Sequence, residues 1–350
     1  SSYNSDVSLG SAAGVTFPRG TTRDTVIEGC TLRGLGGVSS SQAIAFMGGS
    51  SSAALGNVVY AANNAGGRSI GIVVYAEALT SASTLAPNTG AQPLVEGNTV
   101  HMGASQNGWA ATNQSYGISS WATQVEVIDN EVFLANSMTI QRGIEVIDCL
   151  RGTLVSGNRI RGTGRTDLAL SLRVIGGYAT VTHNDVFPGS CQGACNAAEG
   201  GGGMVSVRFA NNIFIGGNST AGASVGLGFD FEGPPGSSLD VLVHSNFLAG
   251  GGSGSPAAGL SWFAPPMGAA VRVGRVINNV VRGGGGAAGW AMYESSASID
   301  PVLLENNALY ASPSTGGARL YHDEGGIPLN NLAAVNTLPE IAGTNLQDDC

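Results

Sequence analysis

A column of side chains that could contact a ligand recurs at one place relative to short apolar strands. Its members are Tyr75, Trp121, Ile147, Arg173, Arg208, Asp230, Phe263, Tyr293 and Tyr321. Aligned aromatic rings offer flat apolar faces and hydroxyl edges, which suit stacking against sugar rings. The charged members in the middle add strong hydrogen bonds. The column therefore predicts a carbohydrate-binding face, with covered packing and a catalytic groove as the alternatives.

The column depends on short strands of one repeated type. In the copy Gly143-Ile144-Glu145-Val146, apolar residues alternate with small or polar ones. Alternation at period two is typical of a strand with one buried face. With Ile144 pointing inward, Glu145 and Ile147 point outward, because successive side chains of a strand alternate between its faces. The same register, carried through the other copies, predicts the column.

A second motif follows most of these strands. It consists of an apolar residue, two small or polar residues, an asparagine, one variable residue and another apolar residue. Its asparagines are Asn57, Asn98, Asn130, Asn158, Asn184, Asn212, Asn246, Asn279 and Asn307, and Cys30 takes this place in the first copy. Copies recur about every thirty residues, which is typical of stacked supersecondary units. Asparagine tolerates unusual backbone angles at a bend, and stacked copies can form a hydrogen-bonded ladder.

These short strands, with no amphipathic helix between them, predict an all-β fold. We expect a right-handed parallel β-helix, a solenoid of about ten coils in which like strands stack about 4.8 Å apart. The short strands, of which Gly143-Ile144-Glu145-Val146 is a copy of the pattern Gly-Ile-x-Val, and the asparagine motifs resemble those of the pectate-lyase-like superfamily of parallel β-helix proteins. The resemblance covers about residues 25 to 325. We expect an N-terminal edge or cap at 1–24, the β-helix at 25–325, and a C-terminal cap or the start of a following segment at 326–350.

The resemblance also implies what an enzyme of this fold would need. Lyases of similar fold hold calcium with acidic clusters and use an arginine or lysine base, while the hydrolases use paired carboxylates. This chain has no lysine, and the hydrolase motifs NTD and GHG do not occur. The catalytic candidates are Arg173, Arg208, Asp230 and Glu232. The acids are too few for a strong calcium site, so we predict no metal site and no cofactor, with calcium as the alternative.

Composition excludes several classes of partner. The net charge is −9, and all 15 basic residues are arginine, which argues against nucleic acid or an anionic membrane surface. No apolar run reaches the roughly 18 residues that a membrane-spanning helix needs. The 55 glycines and the low charged fraction of 11% indicate tight turns and small stacked side chains.

The cysteines predict the redox environment. Cys191 and Cys195 are close enough to form a disulfide if their loop doubles back, which would imply an oxidising, extracellular setting. The alternative, a metal site, lacks a second pair of cysteines or a nearby histidine. Cys30 and Cys149 are expected to be small buried apolar side chains, and Cys350 is expected to have no partner within the chain.

Two functions of different class fit these observations. The favoured one is a secreted or cell-surface structural or adhesive β-helix module that binds polysaccharide or a cell-surface glycan through the column and can self-associate end to end. The alternative is a polysaccharide lyase or a related carbohydrate-active enzyme.

Overall fold

Over its described residues, the chain folds into an all-β parallel solenoid of about eight turns with very little helix. The structure, a computed structural model, describes residues 11–17, 25–34, 40–47, 52–63, 67–75, 92–104, 114–162, 165–230, 239–252, 256–263, 271–285, 289–296, 299–311, 319–323, 326–341 and 344–345. The predicted all-β parallel β-helix is confirmed, with slightly fewer turns than the ten expected.

As the chain advances, it returns repeatedly to two sheets, and consecutive strands such as β4 and β5 can belong to the same sheet. The first half contains β1 (Ser11–Phe17), β2 (Val26–Glu28), β3 (Thr31–Arg33), β4 (Ser40–Met47), β5 (Ala53–Leu55), β6 (Val58–Tyr60), β7 (Arg68–Tyr75), β8 (Leu94–Glu96), β9 (Thr99–His101), β10 (Gln114–Trp121), β11 (Glu126–Ile128), β12 (Glu131–Leu134), β13 (Ser137–Cys149), β14 (Leu154–Ser156), β15 (Arg159–Gly162) and β16 (Arg165–Thr182). The second half contains β17 (Asp185–Phe187), β18 (Ser190–Cys191), β19 (Cys195–Ala210), β20 (Ile213–Ile215), β21 (Asn218–Ser219), β22 (Ser224–Asp230), β23 (Leu239–His244), β24 (Phe247–Ala249), β25 (Ala257–Phe263), β26 (Val271–Ile277), β27 (Val280–Arg282), β28 (Gly289–Glu294), β29 (Ile299–Glu305), β30 (Ala308–Tyr310), β31 (Tyr321–Asp323), β32 (Ile327–Leu329) and a short helix α1 (Leu332–Val335). Strands β3, β6, β9, β12, β15, β17, β20, β24, β27 and β30 form the short sheet of ten strands, and the other 22 strands form the long sheet.

One coil shows why this sequence makes a solenoid. Strands β13, β14 and β15 each pair in parallel with their counterparts in the coils before and after. Ile144, Val155 and Ile160, one from each strand, are fully buried. Each coil therefore contributes a thin layer of branched apolar side chains to one continuous core, as parallel strands with a shared buried face require.

The predicted asparagine ladder is confirmed along the stack. Asn158 donates from Nδ2 to Asn184 Oδ1 at 2.9 Å and to the Val127 carbonyl at 2.8 Å. Its own Oδ1 accepts the backbone N–H of Asn130 at 3.0 Å. The same pattern continues to Asn307, which donates to Asn345 Oδ1 at 3.0 Å. Asn345, which lies beyond the recognised repeats, thus adds one more rung at the C-terminal end.

The bend beside the ladder differs from the expectation in one respect. The ladder asparagines do not adopt the unusual backbone angles; the residue directly before each of them does, with φ between 52° and 68° from Gly29 to Asn306. Four copies place glycine there, and the others use Asp129, His183, Asn211, Ser245, Asn278 or Asn306. A left-handed residue turns the chain between the sheets and leaves the asparagine free to point inward.

At both ends of the described solenoid, a further strand is added to the long sheet. Strand β1 pairs in parallel with β4, and β32 pairs antiparallel with β31. Helix α1 has Asn331 as its N-cap, whose Oδ1 accepts the Ala334 N–H at 2.8 Å. No helix in these described stretches is long and apolar enough to cross a bilayer.

Candidate functional site

Most of the residues that were predicted to form one ligand column lie in two neighbouring columns on the outer face of the long sheet. Strand register aligns the first column as Tyr75, Trp121, Ile147, Ile175, Gly201, Asp230 and Phe263. The second column, two residues earlier in each strand, consists of Val73, Ser119, Glu145, Arg173, Glu199, Gly228, Ser261, Tyr293 and His322. Arg173 and Tyr293 therefore keep an outward position, but in the second column.

Two predicted members are wrong in their placement. Arg208 pairs with Thr180 and Leu242, on a separate part of the long sheet, because β19 is one long strand whose earlier residue Glu199 occupies the place next to Arg173. Tyr321 pairs with Met292 and is fully buried, with its hydroxyl donating to Glu294. Glu232 lies outside the described residues.

Four charged side chains form a chain of ion pairs across neighbouring coils. Arg142 Nη1 lies 3.1 Å from Glu145 Oε1, and Arg173 Nη1 lies 3.4 Å from the same oxygen. Arg173 Nε also donates to Glu199 Oε1 at 2.8 Å. The outward carboxylate of Glu145 is covered by these guanidinium groups and is fully buried, so it is not available to a ligand.

Burial sets the protonation behaviour of both carboxyls in this chain of ion pairs. Loss of solvent raises the pKa of Glu145, and the nearby Arg142 and Arg173 only partly oppose this rise. Loss of solvent also raises the pKa of Glu199, whose side chain is 6% exposed. The carboxylate of Asp230 adds to the rise at Glu199, while Arg173 opposes it. Glu199 thus differs from Asp230, which is exposed on the next coil.

A groove of about 330 Å³ opens beside Glu199. It is lined by Leu168, Leu170, Arg173, Ala194, Asn196, Glu199, Ala223, Gly228, Asp230 and Phe263. The groove exists because the second column holds glycine at 228, between larger residues on the coils to either side. A Cβ built on Gly228 would lie 3.7 Å from the ring of Phe263 and would fill space without a clash. The buried Asn196 Oδ1 has no hydrogen-bond partner among the described residues.

The aromatic members lie in two groups. Near the N-terminal end, Tyr75 and Trp121 meet edge to face at 5.9 Å, and Tyr75 packs against Ile70, Val73 and Tyr116. These rings fit the packing alternative. Near the C-terminal end, the half-buried Phe263 lies 6.3 Å from the Tyr293 ring and borders the groove.

A third ring system, on the short sheet, was not predicted. Tyr60 and His101 stack at 4.7 Å, His101 and Phe133 stack at 5.0 Å, and Arg33 lies 4.5 Å from the Tyr60 ring centre. Each ring comes three residues after a ladder asparagine, which is a signal that the sequence contains. Because the rings are nearly parallel and cover one another's faces, they stabilise the stack and leave only their edges for a ligand.

A disulfide lies beside one wall of the groove. Cys191 and Cys195 form the predicted disulfide, and Ala194 inside its loop lines the groove. Cys149 is buried, which raises the pKa of its thiol to about 12, whereas Cys30 is exposed, contrary to the expectation. Among the described residues, Cys30 is the first rung on the N-terminal side of the ladder, where its backbone N–H donates to Asn57 Oδ1. Within the described residues, no three His, Cys, Asp or Glu side chains cluster as a metal site would require.

Comparison with known proteins adds no relative. No protein-family model matches the chain, and no curated protein matches it. The groove and the columns are therefore the features from which a function can be inferred.

Proposed function

We propose that this protein binds an extended polysaccharide along the outer face of the long sheet. The observation that carries the proposal is the groove, which joins an aromatic wall at Phe263 to hydrogen-bonding groups on Arg173, Asn196 and Asp230. A partly apolar cleft with a few convergent polar groups is the usual form of a small-ligand site. Coils repeat about every 4.8 Å, close to the length of one sugar unit, so a regular polymer can follow the stack.

The charges of the groove favour a neutral or weakly charged glycan. Arg173 already pairs with Glu145 and Glu199, so its charge is balanced before a ligand arrives. Asp230 adds a further exposed carboxylate to the groove lining. A polymer of uronate units would bind less tightly, because its carboxylates would be repelled by these acids. Sugar hydroxyls, in contrast, can donate to the exposed carboxylate of Asp230.

The disulfide supports a secreted or cell-surface location. Disulfides form and persist in oxidising compartments, and Cys191–Cys195 is buried within the sheet beside the groove. A module of this kind would present its long outer face to glycans outside the cell.

The proposal can be tested by a substitution that fills the groove and leaves the backbone around it in place. We expect Gly228→Phe to weaken binding of a neutral oligosaccharide at least about tenfold in isothermal titration calorimetry, because the new ring occupies the space beside Phe263. Arg275→Gln, an exposed change on another part of the long sheet, is the matched control. Failure of a panel of neutral polysaccharides to bind the wild type, or equal binding by Gly228→Phe, would overturn the proposal.

A second candidate, a glycoside hydrolase, is favoured by one observation. Glu199, with its raised pKa, and the exposed Asp230 line the same groove from adjacent strands. A buried carboxyl with a raised pKa can act as the general acid, while an exposed carboxylate acts as the base or nucleophile. Release of reducing ends from a polymer, lost in both Glu199→Gln and Asp230→Asn, would establish hydrolysis. A lyase would instead leave an unsaturated product that absorbs in the ultraviolet, and a binding module would leave neither signal.

A further inference from the structure

We propose a second binding site, for an oxyanion such as a sulfate or carboxylate group, at a pocket separate from the groove. The pocket measures about 280 Å³ and is lined by Arg151, Gly152, Thr153, Tyr178, Ala179, Thr180, Ser206 and Arg208. Register places it on the later part of β16 and β19, where Thr180 pairs with Arg208 and Tyr178 pairs with Ser206. None of its lining residues belongs to the groove beside Glu199.

The two arginines are held in place by neutral partners. Arg151 Cζ lies 4.9 Å from the centre of the Tyr178 ring. Arg208 Nε donates to His244 Nε2 at 2.7 Å. His244 must be neutral at that nitrogen to accept, and burial together with the charge of Arg208 lowers the pKa of the imidazole in agreement with this role. Both guanidinium groups are thus oriented without loss of their charge.

Arg151 and Arg208 differ from Arg161 and Arg173 in the charge of their partners. Arg161 and Arg173 pair with the carboxylates of Asp185 and Glu199. Among the described residues, Arg151 and Arg208 have no carboxylate within salt-bridge distance. Their planar donor groups can therefore form charge-assisted hydrogen bonds to an incoming anion, which are the strongest hydrogen bonds available to these side chains.

Neighbouring groups narrow the chemistry of the ligand. The half-buried Thr180 lines the pocket and carries a hydroxyl that can donate to an oxygen. Ser206 already donates to Asp240 Oδ2 at 3.0 Å, so its proton is not available, and Asp240 is the exposed acid beside the pocket. Two guanidinium groups and the Thr180 hydroxyl, with Asp240 as the acid beside the pocket, favour a compact oxyanion with several acceptor oxygens.

Calorimetry at low ionic strength tests the site with inorganic sulfate and with a sulfated oligosaccharide. We expect both probes to bind the wild type, and Arg151→Gln or Arg208→Gln to weaken each affinity about tenfold, as expected for one charged hydrogen bond. Arg275→Gln is the matched control, because Arg275 is exposed in the same column as Arg208, two coils further on, and outside the pocket. Circular dichroism of each variant verifies the fold.

The probes distinguish the source of the anion. Tighter binding of the sulfated oligosaccharide than of sulfate indicates a glycan, and equal binding indicates a free anion; both results require the two arginines. Gly228→Phe should leave sulfate binding unchanged, which separates this site from the proposed polysaccharide groove. Absence of binding by the wild type, unchanged affinity in both arginine variants, or an equal loss in Arg275→Gln would overturn the proposal.

Discussion

At the scale of single residues, the most unusual group is the buried carboxylate of Glu145. It lies between Arg142 and Arg173, and its Oε2 has no hydrogen-bond partner among the described residues. Burying a charge is costly unless pairing is complete, and here burial outweighs the two guanidinium groups and raises the pKa. The ion pairs fix the position of Arg173 beside the groove at the expense of stability near neutral pH.

The direction of the pKa shift of Glu145 predicts how the free energy of unfolding changes with pH. Because the folded-state pKa of Glu145 is raised above its ordinary value of 4.5, the unfolded chain loses this proton first as the pH rises. The contribution of Glu145 to the free energy of unfolding therefore falls as the pH rises from 4.5 to the folded-state pKa.

Urea denaturation across this pH range tests the prediction. We expect Glu145→Gln, which cannot ionise, to gain stability relative to the wild type as the pH rises through that window. Glu28→Gln, a change at an exposed carboxyl, is the control. A difference between Glu145→Gln and the wild type that does not change with pH would contradict the assignment.

At the scale of the strand and its bend, the sequence predicted the parts that every coil repeats. Asparagine is required at each rung because an inward amide must bond to the rungs on both sides, so its spacing is visible in the sequence. The ligand columns were harder to predict, because β19 is one long strand that pairs with two parts of β16. Glu199 on its earlier part lies next to Arg173, whereas Arg208 lies on its later part, opposite Thr180.

The left-handed residue at each bend provides a prediction about stability. Ser245 has φ 56°, where a side chain costs about 1 kcal/mol or more relative to glycine. We expect Ser245→Gly to raise the free energy of unfolding by about 1 kcal/mol, since four other coils already use glycine at this bend. The control is Ser156→Gly, in the three-residue strand β14, which should lower stability by a similar amount. Loss of stability in Ser245→Gly, measured by chemical denaturation, would show that the serine hydroxyl matters more than the backbone angle.

At the scale of the whole molecule, each coil contacts mainly the coils before and after it. The stack is continuous through the ladder. The Arg173–Glu199 ion pair and the Tyr60–His101 ring pair join neighbouring coils, and the Cys191–Cys195 disulfide lies within one coil. Stability in such an array is the sum of coil and interface terms, so an identical loss has different consequences at the end and in the middle. The groove lies in the middle coils, where neighbours on both sides hold its walls.

Asn57 and Asn158 form a matched pair that tests this behaviour. Each donates from Nδ2 to the next rung at 2.9 Å and to a carbonyl of the preceding coil, and each Oδ1 accepts a backbone N–H from that coil. Replacement by leucine removes the bonds to the next rung, to the carbonyl and to the backbone N–H at either site, and at Asn158 also the bond that its Oδ1 accepts from Asn130 Nδ2, at a cost of about 3 kcal/mol. Because Asn57 lies near the N-terminal end, we expect Asn57→Leu to increase hydrogen exchange only in the first coils. Asn158→Leu should lower protection on both sides of β14 and β15, including the groove strands β16 and β19, and should weaken glycan binding. Equal spread of exchange in the two variants, measured by mass spectrometry, would show that the solenoid unfolds as one cooperative unit.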